Sequence, residues 1–133
     1  MFGKNSKPNN RIDTLIGAGT VIEGNVCFTG GLRIDGEIRG NVCSAEGQPG
    51  TLVISEQARV DGEVAVPHLV INGTVNGPVR VADFLELQTR ARVAGDIEYS
   101  SIEIHLGAVV QGRLLHRGTA AAKAVELKVA SSH

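Results

Sequence analysis

Apolar and polar residues alternate along this chain in very short bursts. In residues 52–68 the pairs Leu52/Ile54, Ala58/Val60 and Val64/Val66 each flank one residue of opposite orientation. A period of two specifies strand. Turn-forming stretches separate the pairs: Ser55-Glu56-Gln57, Asp61-Gly62-Glu63 and Pro67-His68. Such strands are too short for an ordinary sheet. Three of them with three corners in about 17 residues describe one coil of a β-solenoid.

The opening Leu/Ile-x-Leu/Ile pattern recurs as Leu32-Arg33-Ile34, Leu52-Val53-Ile54, Leu69-Val70-Ile71, Leu85-Glu86-Leu87 and Ile102-Glu103-Ile104, with a weaker copy at Leu15. Starts at 15, 32, 52, 69, 85 and 102 are separated by steps of 17, 20, 17, 16 and 17 residues, which predicts six coils. Coil one is expected to point Leu15, Thr20/Ile22 and Val26/Phe28 inward, and coil six Ile102/Ile104, Ala108/Val110 and Leu114/His116. Coils two and four are pinched: Gly36-Glu37-Ile38-Arg39-Gly40 and Gly73-Thr74-Val75-Asn76-Gly77 leave room for one inward residue between two glycines. Glycine at such corners relieves backbone crowding that a Cβ would worsen. The expected outward ladder of the first face reads Ile16, Arg33, Val53, Val70, Glu86, Glu103. Aligning Val26 with Val42 puts Cys27 and Cys43 on adjacent rungs of another outward ladder.

Three segments follow from the repeat: a flexible, polar N-terminal tail at 1–13, an all-β solenoid at 14–118 and an Ala-rich C-terminal tail or cap at 119–133. A composition of 42% hydrophobic but only 3% aromatic residues suits a core of thin aliphatic layers rather than one built on large anchors. The net charge of −1 argues against nucleic acid as a partner. Charge is nevertheless uneven: residues 1–11 carry Lys4, Lys7 and Arg11 and no acid. With Phe2 beside these cations, the tail reads either as a plain solvated terminus or as a segment that meets anionic lipid headgroups. No stretch approaches the roughly 18 apolar residues of a membrane span, and the N-terminus is unlike an export signal. Cysteines in a chain of this kind are expected as reduced thiols.

Motifs for catalysis are missing. There is no lysine between Lys7 and Lys123, so the coils hold no Gly-x-x-x-x-Gly-Lys loop for nucleotide phosphates. His68, His105, His116 and His133 share no metal-ligand spacing. The chain is therefore read as a non-enzyme with no cofactor and no metal. Two other classes stay open. Residues 16–26 resemble the hexapeptide repeats of left-handed β-helix acyltransferases, although the uneven steps and pinched coils depart from their regular coils. A small solenoid could also be an interaction module that binds through Val53 and Val70.

The ends point elsewhere. A solenoid that is not capped exposes unpaired strand edges and a cross-section of its core, and both invite another copy. Here the first coil is preceded only by the polar tail and the short Arg11-Ile12-Asp13-Thr14, and the last finishes at Leu114-Leu115-His116-Arg117-Gly118 with at best a short Ala-rich cap. Leu15, Ile22 and Phe28 are the candidate contact at the N-terminal end, and Ile102, Ile104, Val110 and Leu114 at the C-terminal end.

Met-Phe-x-Lys at the start, Leu-Arg-Ile-Asp-Gly-Glu-Ile-Arg-Gly-Asn-Val at 32–42, Ala-Arg-Val-Asp-Gly-Glu-Val at 58–64 and Ala-Arg-Val-Ala-Gly-Asp-Ile at 91–97 resemble the bactofilins. The resemblance covers about residues 1–118. It implies a single-stranded, right-handed, triangular β-helix of about six coils that polymerises without nucleotide into non-polar filaments. It also implies a bacterial cytoskeletal role, cytoplasmic and peripheral on the inner face of the cytoplasmic membrane. Phe2 and Lys4, with Lys7, match the family's membrane-targeting tail. Its usual partners are other copies of itself and proteins of cell-wall synthesis or remodelling, hence cell shape. The C-terminal tail is short and Ala-rich where many members are Pro-rich.

Overall fold

The computed structural model describes residues 12–45 and 50–117. The N-terminal segment with Phe2, Lys4 and Lys7, the tip of the 45–50 corner and the Ala-rich segment 119–133 lie outside these residues. Among the described residues sixteen strands and no helix wind into six coils. Coil one holds β1 (Thr14–Ile16), β2 (Val21–Glu23) and β3 (Val26–Phe28), and coil two β4 (Gly30–Ile34), β5 (Glu37–Arg39) and β6 (Val42–Ser44). Coil three holds β7 (Gly50–Ile54), β8 (Arg59–Asp61) and the start of β9 (Val64–Ile71), which turns the corner into coil four. Coil four continues with β10 (Thr74–Asn76) and the start of β11 (Val79–Leu87), whose second half opens coil five. Coil five adds β12 (Arg92–Ala94) and β13 (Ile97–Tyr99), and coil six β14 (Ser101–Ile104), β15 (Val109–Gln111) and β16 (Leu114–His116).

Every pairing is parallel and joins one coil to the next. Each coil thus contributes one rung to each of three faces. Parallel strands stacked in register place like positions above one another at about 4.8 Å. Inward positions then form continuous aliphatic columns, such as Leu32, Leu52, Leu69 and Leu85 beside Ile34, Ile54, Ile71 and Leu87 on the first face, all at most 1% exposed. The described core holds no buried polar or charged residue, and Tyr99 is its one aromatic fully inside.

One glycine column makes this stacking possible at the corner between the second and third faces. A Cβ built at Gly40 would strike the carbonyl oxygen of Gly24; Gly62 would strike Gly40, Gly77 Gly62, Gly95 Gly77 and Gly112 Gly95. The amide of each glycine donates to the carbonyl just before the next glycine, for example Gly62 N–H to Asn76 and Gly77 N–H to Ala94. Asn25 and Asn41, each just after a column glycine, accept from the backbone amides of Asn41 and Glu63 in the next coil. The corner between the first and second faces comes in two lengths. A four-residue form ends on a small inward residue (Ala58, Ala91 or Ala108), and the pinched form is Asp35-Gly36 or Asn72-Gly73. The pinch has a steric cause: a Cβ at Gly73 would meet the carbonyls of Ser55 and Ala58, which fold over it from the long corner next door.

Outward charges pair within and between rungs. Arg39 bridges Glu37 at 2.9 Å and Glu23 at 3.1 Å, Arg59 meets Asp61 at 3.1 Å, and Arg113 meets Asp96 at 3.0 Å. Three aspartates are held below the ordinary carboxylate value. The Ser55 hydroxyl, with Arg33 after it, acts on Asp35. The Asn76 amide, then Arg59, acts on Asp61. The side chain and backbone amide of Arg113 act on Asp96.

Two sequence expectations are corrected here. Leu15 does not face inward. β1 pairs Thr14 with Leu32, Leu15 with Arg33 and Ile16 with Ile34, so Ile16 takes the inward rung and Leu15 heads the outward ladder. The physical reason is the corner: Thr20 lies four positions after Ile16, as Ala58 lies four after Ile54, and Thr20 N–H bonds to Gly17 C=O as Ala58 N–H does to Ser55. Cys27 and Cys43 do share adjacent rungs, but as a disulfide with Cα atoms 4.7 Å apart, not as free thiols. In-register parallel pairing brings two equivalent positions inside the Cα range of a disulfide, and closing a loop across 16 residues ties coil one to coil two. In the chain-entropy account such a loop is worth about 3 kcal/mol.

Gly77→Ala is expected to destabilise the fold by at least about 3 kcal/mol, because backbone rather than a pliable side chain occupies the space. Gly17→Ala, with nothing within 4 Å of the new Cβ, is the control and should stay within about 0.5 kcal/mol. Urea denaturation of both variants reads this; equal midpoints would remove the glycine column from the account. The depressed aspartates set an acid limit. A carboxylate with a lowered folded pKa stabilises above its unfolded value, here 3.8, and that contribution is lost as pH falls through the folded value. The urea midpoint should accordingly drop below about pH 4, and a midpoint that rises on acidification would contradict the assignment.

Candidate assembly surfaces at the two ends

Strand pairing leaves an edge at each end. Among the described residues β1, β2 and β3 have partners only toward coil two, and β14, β15 and β16 only toward coil five. Each end therefore offers a rung of backbone donors and acceptors around an apolar cross-section. At the N-terminal end Ile16, Ile22, Val26 and Phe28 pack on the core yet are only half-buried. Ile22 and Phe28 thus point inward at this end, while Leu15, 58% exposed, lies on the outer face beside Arg33.

At the C-terminal end Ile102, Ala108 and Val110 are half-buried, and Ile104 is 48% exposed although its rung partner Leu87 is fully buried. The difference is the absence of a seventh rung among the described residues. Leu114 is only 9% exposed and belongs to the core of its own subunit, so it supports the end more than it presents it. His116 occupies the last inward rung of the third face, with its ring edge on Tyr99 at 5.4 Å between centroids and Nε2 bonded to Ser100 C=O at 2.9 Å.

Sequence reasoning missed Leu106, which is 94% exposed, and the outward Val21 and Val109. A signal for Leu106 was present. The tight turn after the first face reads Ala18-Gly19, Glu56-Gln57 and Thr89-Arg90 in the other long coils but Leu106-Gly107 in the last, a large apolar residue where a corner is otherwise small or polar.

On the outer face of the C-terminal coils, His105 Nε2 lies 3.0 Å from Glu86 and 3.2 Å from Glu103. Sequence spacing gave no hint of this group, because residues 86 and 105 meet only through coil register. The three ligand atoms lie within 4.8 Å of one another, the one group of this kind among the described residues. Such a His/Glu/Glu set could hold a divalent ion; as it stands, the imidazole bridges two carboxylates on an open face. No helix among the described residues is long and apolar enough to cross a membrane.

Comparison with known proteins agrees with a polymer-forming solenoid. The family model described as "Bactofilin: Polymer-forming cytoskeletal" matches residues 14–115. Bactofilin BacO of Myxococcus xanthus (strain DK1622) is 30% identical over 102 residues, covering 77% of this chain and 78% of BacO. Bactofilin BacP of the same organism is 27% identical over 109 residues, covering 82% of this chain but 44% of BacP. No solved structure matches with comparable significance. The chain belongs to the bactofilin family of polymer-forming cytoskeletal proteins.

Proposed function

We propose that this chain is a cytoskeletal scaffold whose subunits join end to end into nucleotide-independent, non-polar filaments on the inner face of the cytoplasmic membrane. There it would localise cell-wall and cell-shape factors. The observation that carries the reading is the pair of ends that, among the described residues, have strand edges without a further partner around a partly exposed aliphatic rung. Contact between such ends buries apolar surface and completes the ladders without any bound ligand. Contacts between like ends are two-fold, and a chain of alternating two-fold contacts has no direction. Ile22 and Phe28 then belong to one junction, and Ile102, Ile104 and Val110 to the other, with Leu114 beneath it. The membrane part of the proposal rests on sequence alone. Phe2 can enter the lipid interface while Lys4 and Lys7 meet anionic headgroups, each cation adding on the order of 1 kcal/mol. One tail binds weakly, and a filament carrying many binds by avidity.

Ile104→Arg should leave a folded protein and abolish filaments, since a cation in a dry junction lacks a partner and costs several kcal/mol. Negative-stain electron microscopy with circular dichroism checks this: filaments of unchanged length would remove Ile104 from the junction. The unmodified protein, in EDTA and without nucleotide, should give filaments with a rise of about 29 Å per subunit, six coils at about 4.8 Å. Discrete small particles at every salt concentration would reject the reading. Deleting residues 2–8 should release the protein from anionic liposomes in a flotation assay yet spare filaments, because the described strands begin only at Thr14. Liposome binding that survives the deletion would overturn the role of the tail.

A further inference from the structure

The outward ladder of the first face, as corrected by the register, reads Leu15, Arg33, Val53, Val70, Glu86, Glu103 from coil one to coil six. It runs from cationic to anionic with two branched apolar residues at its centre. Rotation by 180° about an axis lying in the face, midway between coils three and four and along the strands, turns this ladder onto itself with the coils reversed. Val53 then lies opposite Val70, and Arg33 opposite Glu86.

The flanking columns obey the same operation. One side of the face carries Gly31, Thr51, His68 and Phe84 in coils two to five. Reversal sets Phe84 against the position of Gly31, which is buried with its amide bonded to the Asp13 carboxylate at 2.9 Å, and His68 against Thr51. The other side carries Asp35, Ser55, Asn72 and Gln88, stacked by the bonds of their amides to the carbonyls of the coil before. Reversal sets Asp35 against Gln88 and Ser55 against Asn72, in each case an acceptor or hydroxyl against an amide. The mismatched rung is the outermost, Leu15 with Glu103, at the rim where water reaches the carboxylate.

We infer that the first face is a self-complementary lateral interface that pairs neighbouring filaments through antiparallel subunits. The occupant is a second copy of this chain. Charge complementarity selects the orientation: a parallel two-fold about the solenoid axis would stack Arg33 on Arg33 and Glu86 on Glu86, which like-charge repulsion disfavours. The other faces lack this pattern. The second face fills its middle with paired Arg59 and Asp61, and the third has Ala65 and Arg80 at its middle, one small and one charged residue where the first face has two valines. Arg33 keeps Asp35 at 3.0 Å while nearly half of its side chain stays exposed, and Glu86, held by His105 at 3.0 Å and Gln88 at 3.2 Å, keeps 24% of its side chain exposed, so the contact adds a cation to a carboxylate that already has partners.

Area explains why the contact would act on polymers. Six rungs of a five-residue strand present about 450 Å² per copy, roughly half of the 800 Å² per partner of a stable pairwise interface. Two free subunits would hold weakly, whereas two filaments repeat the contact along their length. The inference rests on the end-to-end reading, and non-polar filaments supply both subunit orientations.

The test is a charge swap in the full-length protein, scored by negative-stain microscopy for paired against single filaments at low salt. The unmodified protein should show laterally paired filaments that separate as salt is raised. Arg33→Glu and Glu86→Arg alone should each reduce pairing at least about tenfold while leaving filaments, and the double variant R33E/E86R should restore it. Single variants that pair as before, a double variant that stays single, or unmodified filaments that never pair would each overturn the lateral interface and leave the end-to-end reading standing. Failure of the unmodified protein to form any filament would overturn both.

Discussion

The structure depends on the parallel backbone ladder between coils. A coil of this chain holds only three short strands and about half a dozen inward aliphatic side chains, too few to bury a core unaided. Stability comes from stacking, and stacking requires that coils approach to strand-pairing distance at every corner as well as along every face. The column Gly24, Gly40, Gly62, Gly77, Gly95, Gly112 meets that requirement, since each glycine from Gly40 onward sits where a Cβ would enter the carbonyl of the one before it. The corner amides are satisfied in the same act, each bonding to the next coil. Packing and hydrogen bonding are therefore one constraint here, applied at every rung.

That constraint has no internal stopping point. A ladder satisfied by the next coil leaves the first and last described coils with one neighbour each, and the half-buried Ile16, Ile22, Ile102 and Ile104 are its mark in the side chains. The interaction that holds the monomer together, backbone pairing around an aliphatic rung, is thus of the kind proposed to join monomers; strands meeting at a two-fold junction would run antiparallel rather than parallel, and neither contact calls for nucleotide. The Cys27–Cys43 bond falls on coil one, where only one neighbour supplies cohesion, and fixes that coil to the rest.

Legibility in the sequence followed the same division. The inward residues of coils two to five could be read directly, because their Leu/Ile-x-Leu/Ile pattern recurs ahead of a corner glycine, by eight residues in the pinched coils and ten in the long ones, and every one of these coils has two neighbours. Coil one was misread at Leu15, where Thr14 fills the inward slot that is apolar in every later coil and breaks the pattern; the four-residue corner from Ile16 to Thr20 was the better guide. Leu106 went unnoticed because a turn residue carries no period. The meeting of Glu86, Glu103 and His105 could not be read from spacing, since it depends on the coil register and on His105 occupying a corner. The cysteine ladder was visible, but the compartment argument for free thiols says nothing about geometry, and geometry brought the sulfurs together.

The outer faces follow a different rule from the core. Inward columns repeat one residue class at every rung, whereas outward ladders are free to vary, so pattern in them carries information about contacts beyond the subunit. On the second face that information is spent internally: Arg39 holds Glu23 and Glu37, and Arg59 holds Asp61. On the first face Val53 and Val70 gain little from each other by comparison with what a facing apolar surface would give, and Arg33 and Glu86 are separated by those two valine rungs within one subunit. Within one subunit Arg33 turns to Asp35 and Glu86 to His105, and a reversed copy would bring Arg33 and Glu86 to each other as well. An arrangement that is inefficient within one subunit and matched between two is what a two-fold contact requires, because self-complementarity about an axis forces opposite charges to opposite sides of it and leaves the apolar residues at the centre.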